Sequence, residues 1–310
     1  MNQLGFVFPG QGSQSVGMLA ALAADSPQVQ QTFSEASETI NSNLWDLVVN
    51  GPEERLNETA ITQPLMLAAD IAVWRAWQAR SGPQPGLLAG HSLGEYAALV
   101  ASGVMQFRDA VRLVERRGQL MQSAVKPGKG AMAAILGLDD EIIEAICREA
   151  AEGQVVSAAN YNSPGQLVIA GEATAVERAM HQAKAAGARR AVILPVSVPS
   201  HCALMKPAAA GLKEMLDAIE LSAPEIPVLQ NVSVAASDDP DTIRKALSAQ
   251  LYSPVRWTDT VRSMANQGIQ RIAECGPGRV LSGLGRRINR DLEWLALEDI
   301  ETLERAVSAQ

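Results

Sequence analysis

The chain has 310 residues, a length that suits one large domain or a core with a smaller second unit. Hydrophobic residues make up 47% and charged residues 19%, which is the composition of a globular protein with a sizeable core. The formal net charge of −8 at pH 7 disfavours nucleic acid as a partner, because the phosphates would be repelled.

The first part of the chain predicts two buried strands with helices after them. The apolar run Leu4–Phe8 is the first strand and residues 86–89 are the second. Thr62 is the predicted N-cap of a long helix, with Pro64 in its first turn. Helices are predicted over residues 63–79, 93–101 and 108–123, followed by a linker at 126–130.

The middle of the chain has the pattern β-α-β-β-α-β, which is the split unit of ferredoxin-like folds. Strands are predicted at residues 131–136, 154–159, 166–170 and 191–196, helices at 139–151 and 174–186, and a turn at 162–165. Because an α/β pattern flanks this unit on both sides, we predict a ferredoxin-like insert at residues 128–197. Residues 1–127 and 198–310 then form the core.

The last part returns to strands that alternate with helices. Helices are predicted at residues 203–219, 241–250, 257–267 and 280–288, and strands at 228–232 and 269–274. This alternation predicts an α/β fold whose mostly parallel sheet is covered on both faces.

The segment GHSLG at residues 90–94 matches the G-x-S-x-G pattern, with Ser92 at its centre. An apolar strand precedes it and a helix follows it, as a nucleophile elbow requires. The flanking glycines permit a sharp turn that exposes the serine hydroxyl, and the helix N-terminus offers backbone N–H groups to an oxyanion. A structural glycine turn is the alternative interpretation.

A serine nucleophile needs a base, which is usually histidine, and the chain has three histidines. His91 is adjacent to the serine and cannot easily turn back onto it. His181 lies on a polar helix of the insert. His201 follows the last predicted strand of the insert, where the chain rejoins the core, so elimination favours His201 as the base.

Arg117 lies within the apolar stripe of the helix at residues 108–123, whereas Arg112 and Arg116 lie on its polar face. A buried guanidinium is costly unless an anion pairs with it. An internal salt bridge and a substrate carboxylate are both consistent partners, and the planar fork of arginine suits a carboxylate.

The glycine-rich loop at residues 10–15 does not match a dinucleotide-binding fingerprint, because Ser15 stands where the third glycine is needed. No phosphate-binding P-loop is present either. The loop follows the first strand, so it could reach the elbow and supply a second N–H group to an oxyanion.

Two further features indicate the compartment. No apolar run has the roughly 20 residues that a membrane span requires, and the N-terminus lacks the features of a signal peptide. Cys147, Cys202 and Cys275 are odd in number and lack metal-ligand spacing, so we expect reduced thiols. We therefore expect a cytoplasmic protein that binds neither membrane nor metal.

Six short segments, taken together, closely resemble the bacterial malonyl-CoA:acyl carrier protein transacylases, in the acyltransferase family of fatty acid and polyketide synthesis. The ordered segments are FPGQGSQ (8–14), GHSLGE (90–95), RRG (116–118), NSPGQ (162–166), VSVPSH (196–201) and ECGPG (274–278). Each segment alone is moderately specific, and their order is highly specific. The resemblance runs from near residue 3 to near residue 290.

This resemblance implies Ser92 as nucleophile, His201 as base and Arg117 as the clamp on the malonyl carboxylate. It implies that the backbone N–H groups of Gln11 and Leu93 form the oxyanion hole. The main-chain carbonyl of Gln250 would orient the histidine. The implied fold is an α/β-hydrolase-like core with a ferredoxin-like insert.

The implied activity is malonyl transfer from malonyl-CoA to the phosphopantetheine thiol of acyl carrier protein, through a malonyl-serine, in fatty acid biosynthesis. The expected partners are malonyl-CoA, coenzyme A and acyl carrier protein, with no cofactor and a monomeric enzyme. A serine esterase or thioesterase, a non-catalytic carrier-binding module and a relative serving polyketide or malonate metabolism are the alternatives.

Two basic clusters are candidates for docking the acidic carrier protein, although solvated surface charge is an equally good interpretation. The clusters are Arg279, Arg286, Arg287 and Arg290, and Lys184, Arg189 and Arg190.

Overall fold

The computed structural model describes residues 3–196 and 198–308, which form a five-stranded and a four-stranded sheet with helices packed on them. The strands are β1 (Leu4–Phe8), β2 (Leu87–Gly90), β3 (Gly130–Leu136), β4 (Val156–Ser163), β5 (Gln166–Glu172), β6 (Arg190–Ile193), β7 (Val228–Leu229), β8 (Arg271–Glu274) and β9 (Glu293–Ala296).

The helices of the first half are α1 (Ala20–Asp25), α2 (Pro27–Ile40), α3 (Leu44–Asn50), α4 (Glu53–Leu56), α5 (Thr59–Ala79), α6 (Gly94–Ala101), α7 (Phe107–Ala124) and α8 (Asp140–Ala151). Those of the second half are α9 (Ala173–Ala185), α10 (Lys206–Ala218), α11 (Pro240–Gln250), α12 (Trp257–Asn266), α13 (Val280–Ile288) and α14 (Ile300–Ser308). A 3-10 turn, Ala203–Met205, precedes α10. No helix within the described ranges is long and apolar enough to cross a membrane.

The larger sheet has the order β7-β2-β1-β8-β9, and all its neighbouring strands are parallel. Strands β1 and β2 are uninterrupted apolar runs with every residue buried, as expected of central parallel strands covered on both faces. Phe8 pairs with Gly90 at their carboxyl ends. The loops that follow β1 and β2 therefore leave the same edge side by side, which is where ligand sites of parallel sheets occur.

The smaller sheet has the order β4-β5-β3-β6 and is antiparallel throughout. Residues of α8 and α9 share a hydrophobic cluster with this sheet, for example Ile143 and Val176 with Ile135 and Ile169. This order matches the predicted ferredoxin-like unit, so the predicted fold class is confirmed. We propose that the insert spans residues 128–197, with the core on either side; Ser197 lies outside the described residues.

Strand β4 also links the insert to the core. Val255 donates its N–H to the carbonyl of Ala159 (2.9 Å), and Tyr161 donates its N–H to the carbonyl of Val255 (2.9 Å). This pairing holds the end of β4, including Asn162, beside the loop that follows β2.

The prediction that Thr62 caps the long helix is wrong, because α5 begins one turn earlier, with Glu58 at the N-cap position. Thr62 lies inside the helix, and its hydroxyl donates to the carbonyl of Glu58 (3.0 Å). Pro64 therefore lies beyond the first turn, where it removes one helical hydrogen bond. Close packing accompanies the extra turn, since a Cβ at Gly118 of α7 would lie 2.7 Å from the Cα of Ala60.

The loop after β8 packs against the loop after β1 through Gly276. A Cβ at this position would lie 2.2 Å from Oδ1 of Asp70 and 2.6 Å from Cγ of Pro9. Asp70 belongs to α5, is fully buried, and neither of its carboxylate oxygens has a hydrogen-bond partner within the described part of the chain. Burial, and secondarily the charge of Glu274, raises the pKa of Asp70 well above its usual value.

The other predicted helices and strands are present, with ends shifted by a few residues. Strand β4 runs on to Ser163, so the predicted turn is reduced to a tight hairpin at Pro164 and Gly165. Strand β7 is only two residues long, because the chain leaves the sheet before Asn231. The sequence interpretation did not include α1–α4, β9 or α14.

Candidate active site

Ser92 lies in the turn between β2 and α6 with a positive φ of 52°, which is unfavourable for a residue other than glycine. The glycines on either side permit this turn. A Cβ at Gly90 would lie 1.9 Å from the carbonyl carbon of Gly94, and one at Gly94 would lie 2.0 Å from the carbonyl oxygen of Phe8. The strained serine therefore has the backbone of a nucleophile elbow.

His201 is the histidine that reaches Ser92, with 2.7 Å between Nε2 and the serine Oγ. Its Nδ1 is 2.8 Å from the main-chain carbonyl oxygen of Gln250. A carbonyl only accepts, so Nδ1 carries the ring hydrogen and Nε2 is free to accept the serine proton. Burial, then the positive charge of Arg117, lowers the pKa of His201 to about 3, so the ring is neutral at pH 7.

The two other histidines lie as the sequence predicted, away from the serine hydroxyl. Nε2 of His91 is 2.9 Å from Oδ1 of Asn162 at the end of β4, and its ring meets Trp257 edge to face. His181 is exposed on α9. The elimination that selected His201 therefore agrees with the geometry.

Arg117 is only 1% exposed, as its place on the apolar stripe predicted. Nη1 donates to Oε1 of Gln63 (2.8 Å), and Nη2 donates to Oε1 of Gln250 (3.0 Å). The guanidinium carbon lies 5.4 Å from the centre of the Tyr96 ring, within range of a cation–π interaction. Nη2 also lies 3.5 Å from Oγ of Ser92.

None of the salt bridges between described residues includes Arg117. Neutral side-chain oxygens hold the guanidinium in place of a carboxylate. The internal salt bridge that the sequence left open is therefore not formed within the described residues. Arg117 therefore places a positive charge beside the serine hydroxyl without a carboxylate in direct contact with it among the described residues.

The loop after β1 brings Gln11 to the same cavity as Ser92 and Leu93. Among the described residues, the backbone N–H groups of Gln11 and Leu93 donate to no other group. The N–H of Ser92, by contrast, donates to Oδ1 of Asn231 (2.7 Å). The two N–H groups that the resemblance implied are therefore free to hold an oxyanion.

The sequence interpretation missed the buried polar groups that contact the backbone of the turn at Ser92. Oε2 of Glu95 accepts from Nε2 of Gln250 (2.7 Å) and from the backbone N–H of Asn231 (3.1 Å). Burial raises the pKa of Glu95 to about 7, although these hydrogen bonds and the charge of Arg117 act in the opposite direction. An isolated glutamate in the apolar helix α6 was a signal in the sequence, whereas Gln63 and Asn231 carry none.

Ser92, His201, Arg117 and the loop at Gln11 line one narrow cavity of about 110 Å³. Apolar residues form much of the rest of its wall, together with a few polar ones; the apolar residues are Met121, Met132, Leu194, Val196 and Val198. The described residues include no group of three His, Cys, Asp or Glu side chains placed to hold a metal ion. The cavity thus offers an activated serine, two free N–H donors and one arginine to a short acyl group that carries a negative charge.

Comparison with known proteins gives an independent result. Residues 5–292 match the model of the acyl transferase domain. A malonyl CoA-acyl carrier protein transacylase of Salmonella typhimurium is 56% identical over 308 residues, covering 99% of this chain and all of the relative.

Solved structures agree with the sequence comparison. An acyl carrier protein S-malonyltransferase from Vibrio cholerae is 57% identical, with a TM-score of 0.96 over 98% of this chain and 99% of that one. A malonyl-transacylase in complex with a type II PKS acyl-carrier protein is 55% identical, with a TM-score of 0.98 over 99% of this chain and 100% of that one. The chain belongs to the acyl transferase domain family.

Proposed function

We propose that this protein is an [acyl-carrier-protein] S-malonyltransferase of fatty acid biosynthesis. It transfers malonyl from malonyl-CoA to the phosphopantetheine thiol of acyl carrier protein, through a malonyl ester of Ser92. The observation that carries the proposal is the guanidinium of Arg117, which lies 3.5 Å from the serine Oγ with no carboxylate bound to it among the described residues. The names of the similar proteins support the same substrate pair.

The first half-reaction loads the serine. His201 removes the hydroxyl proton through Nε2 as Oγ of Ser92 attacks the thioester carbon of malonyl-CoA. The N–H groups of Gln11 and Leu93 stabilise the negative charge that develops on the carbonyl oxygen. When the carbon–sulfur bond breaks, the imidazolium returns the proton to the sulfur of coenzyme A, which leaves malonyl-Ser92.

The second half-reaction is the same chemistry in reverse with another thiol. The phosphopantetheine thiol of the carrier protein gives its proton to His201 and attacks the ester carbon. The carbon–oxygen bond to Ser92 breaks, and the serine takes the proton back. The products are malonyl-carrier protein and free enzyme, so no water and no cofactor enter the balance.

Arg117 selects the acyl group in both halves. Its two outer nitrogens form a planar fork that fits a carboxylate, and a buried site strengthens such a pair relative to water. Gln63 and Gln250 hold the fork in place before the substrate binds. An acetyl group has no carboxylate and gains nothing from it.

A serine esterase or thioesterase is the second candidate, and two observations disfavour it. Such an enzyme typically orients its histidine with Asp or Glu, whereas Nδ1 of His201 meets the neutral carbonyl of Gln250. A hydrolase acting on uncharged acyl groups also has no use for Arg117 beside the nucleophile.

We also propose that the protein works as a monomer in the cytoplasm. The three cysteines are all buried and unpaired, which is typical of proteins kept in a reducing compartment. Multi-angle light scattering at micromolar concentration measures the oligomeric state, and a stable dimer would refute the monomer.

Intact mass spectrometry after incubation with malonyl-CoA tests the proposed function. The wild-type protein should gain the mass of one malonyl group, and peptide mapping should locate it on Ser92. Ser92→Ala should gain nothing, whereas Ser123→Ala, at an exposed serine of α7, should load like the wild type. Unchanged loading of Ser92→Ala would refute the assignment.

A further inference from the structure

Glu95 is an acid in the first turn of the otherwise apolar helix α6, and its side chain does not point into the acyl cavity. It is 1% exposed, and both donors to its carboxylate bind the same oxygen, Oε2. A buried carboxylate without a function would be costly, so its partners indicate what it does.

The first partner is the side-chain amide of Gln250. Oε2 of Glu95 accepts from the backbone N–H of Asn231 and also from Nε2 of Gln250, so the NH₂ end of the amide faces Glu95. The same Nε2 also donates to the main-chain carbonyl of Ser92 (2.9 Å). The oxygen of the amide is therefore directed to the other side, where it accepts from Nη2 of Arg117.

The reversed amide would be doubly unfavourable. Its oxygen would face two acceptors, the Glu95 carboxylate and the Ser92 carbonyl, and its NH₂ group would face the donors of Arg117. The carboxylate of Glu95, together with the carbonyl of Ser92, thus favours the orientation that presents an acceptor, and not a donor, to the guanidinium.

The second partner is the backbone N–H of Asn231. The side chain of Asn231 accepts from the N–H of Ser92 and donates to the carbonyl of Gly90 (2.6 Å). One carboxylate oxygen therefore supports the elbow backbone through one partner and the arginine through the other.

We propose that Glu95 is the positioning residue for acyl selection: acting through Gln250, it holds Arg117 in the orientation that binds the substrate carboxylate. The inference rests on the proposed malonyl transfer. Glu95 acts as a hydrogen-bond acceptor that fixes the side-chain amide of Gln250. If only the charge of Glu95 mattered, Glu95→Gln and Glu95→Ala would have the same effect on acyl selection.

Three variants separate these roles. Glu95→Ala removes the acceptor, whereas Glu95→Gln keeps an acceptor oxygen and removes the charge. Gln250→Met removes the amide and keeps the main-chain carbonyl that orients His201. The readout is the ratio of the acylation rates of Ser92 by malonyl-CoA and by acetyl-CoA, measured by rapid quench and intact mass on proteins with native circular dichroism.

We expect Glu95→Ala to lower the malonyl-to-acetyl ratio by about tenfold or more, the effect of one hydrogen bond to a charged group. Glu95→Gln should stay within about threefold of the wild type. The double variant Glu95→Ala/Gln250→Met should have the ratio of Gln250→Met alone, because both changes act through one amide.

Three results would overturn the inference: an unchanged ratio in Glu95→Ala, equal losses in Glu95→Gln and Glu95→Ala, or losses that multiply in the double variant. If Glu95→Ala does not fold, Gln250→Met and Glu95→Gln still test the inference. An unchanged malonyl-to-acetyl ratio in Gln250→Met would show that the amide of Gln250 has no part in acyl selection. Absence of malonyl on Ser92 of the wild type would instead refute the proposed function itself.

Discussion

Replacing Arg117 with alanine tests how the site chooses its acyl group. The guanidinium is buried, and neutral oxygens of Gln63 and Gln250 hold it beside the serine hydroxyl. In Arg117→Ala, a malonyl carboxylate would enter the cavity and find no opposite charge. An acetyl group would find only a somewhat larger cavity.

The magnitude follows from the burial of this pair. Leaving one charge of a buried ion pair without its partner costs about 3–5 kcal/mol, which is about two to four powers of ten in rate. We therefore expect kcat/KM for malonyl-CoA to fall by that factor, while acetyl-CoA stays level or improves. Stability should fall by less than about 3 kcal/mol, because water entering from the cavity can bind the two amide oxygens left without a donor.

The assay compares both substrates on the same preparation, with circular dichroism to establish folding. Arg116→Ala is the matched control, since Arg116 is the neighbouring arginine on the exposed face of α7 and should leave both rates unchanged. Arg117→Lys keeps the charge without the planar fork, so its kcat/KM for malonyl-CoA should lie between those of Arg117→Ala and the wild type. If malonyl and acetyl transfer decline by the same factor, Arg117 has a structural role and another group binds the carboxylate.

Three further predictions concern other groups. Because the pKa of His201 is lowered to about 3, the acetyl-CoA acylation rate should be nearly constant from pH 8 to 5.5; a loss of about tenfold, as for an ordinary imidazole, would contradict this. Arg287 shares a surface pocket with Arg189 and Arg190, so Arg287→Glu should slow transfer to acyl carrier protein but not loading from malonyl-CoA. Arg112→Glu, on α7, is the control, and equal slowing of both half-reactions would argue against docking at this pocket. Burial raises the pKa of Asp70 in the folded state, so the contribution of Asp70 to the free energy of unfolding is fully present below about pH 4. That contribution is lost as the pH rises towards the pKa of Asp70 in the folded protein. The free energy of unfolding of Asp70→Asn, measured in urea, should therefore increase relative to that of the wild type as the pH rises from about 5 to 8. A difference between the two proteins that does not change with pH would refute the reasoning.

The sequence predicted those parts of the site that depend on local chemistry. The elbow at Ser92 follows from glycines at fixed spacing, and the burial of Arg117 follows from its position on a helical stripe. His201 could be selected because the chain has only three histidines. The order of helices and strands was sufficient to predict the ferredoxin-like insert, since the arrangement of the four strands β3, β4, β5 and β6 in one sheet follows from that order.

The rest of the site depends on contacts between distant segments. Glu95 meets Gln250 across 155 positions and Asn231 across 136, and no local pattern specifies such pairings. The cap of α5 was misplaced for a related reason, because tertiary packing against Gly118 accompanies a helical turn that local preference did not indicate. Helices α1, α3 and α4 have only 6, 7 and 4 residues, too few for a clear apolar period. Helix α2 has 14 residues with Val29, Phe33 and Ala36 buried at helical spacing, a signal that the sequence interpretation missed.

The carbonyl of Gln250 behind His201 has a consequence for the lifetime of the acyl-enzyme. Burial and the charge of Arg117 make His201 a weak base, and the neutral carbonyl of Gln250 offsets this less than a carboxylate would. A weak base can accept the proton of a thiol, whose pKa is about 8.5, far more readily than that of water, whose pKa is about 15.7. The serine hydroxyl is about as weak an acid as water, and its loading depends on being held 2.7 Å from Nε2 of His201. The second half-reaction therefore favours a thiol over water as the group that attacks malonyl-Ser92, because the thiol needs the least help from this base.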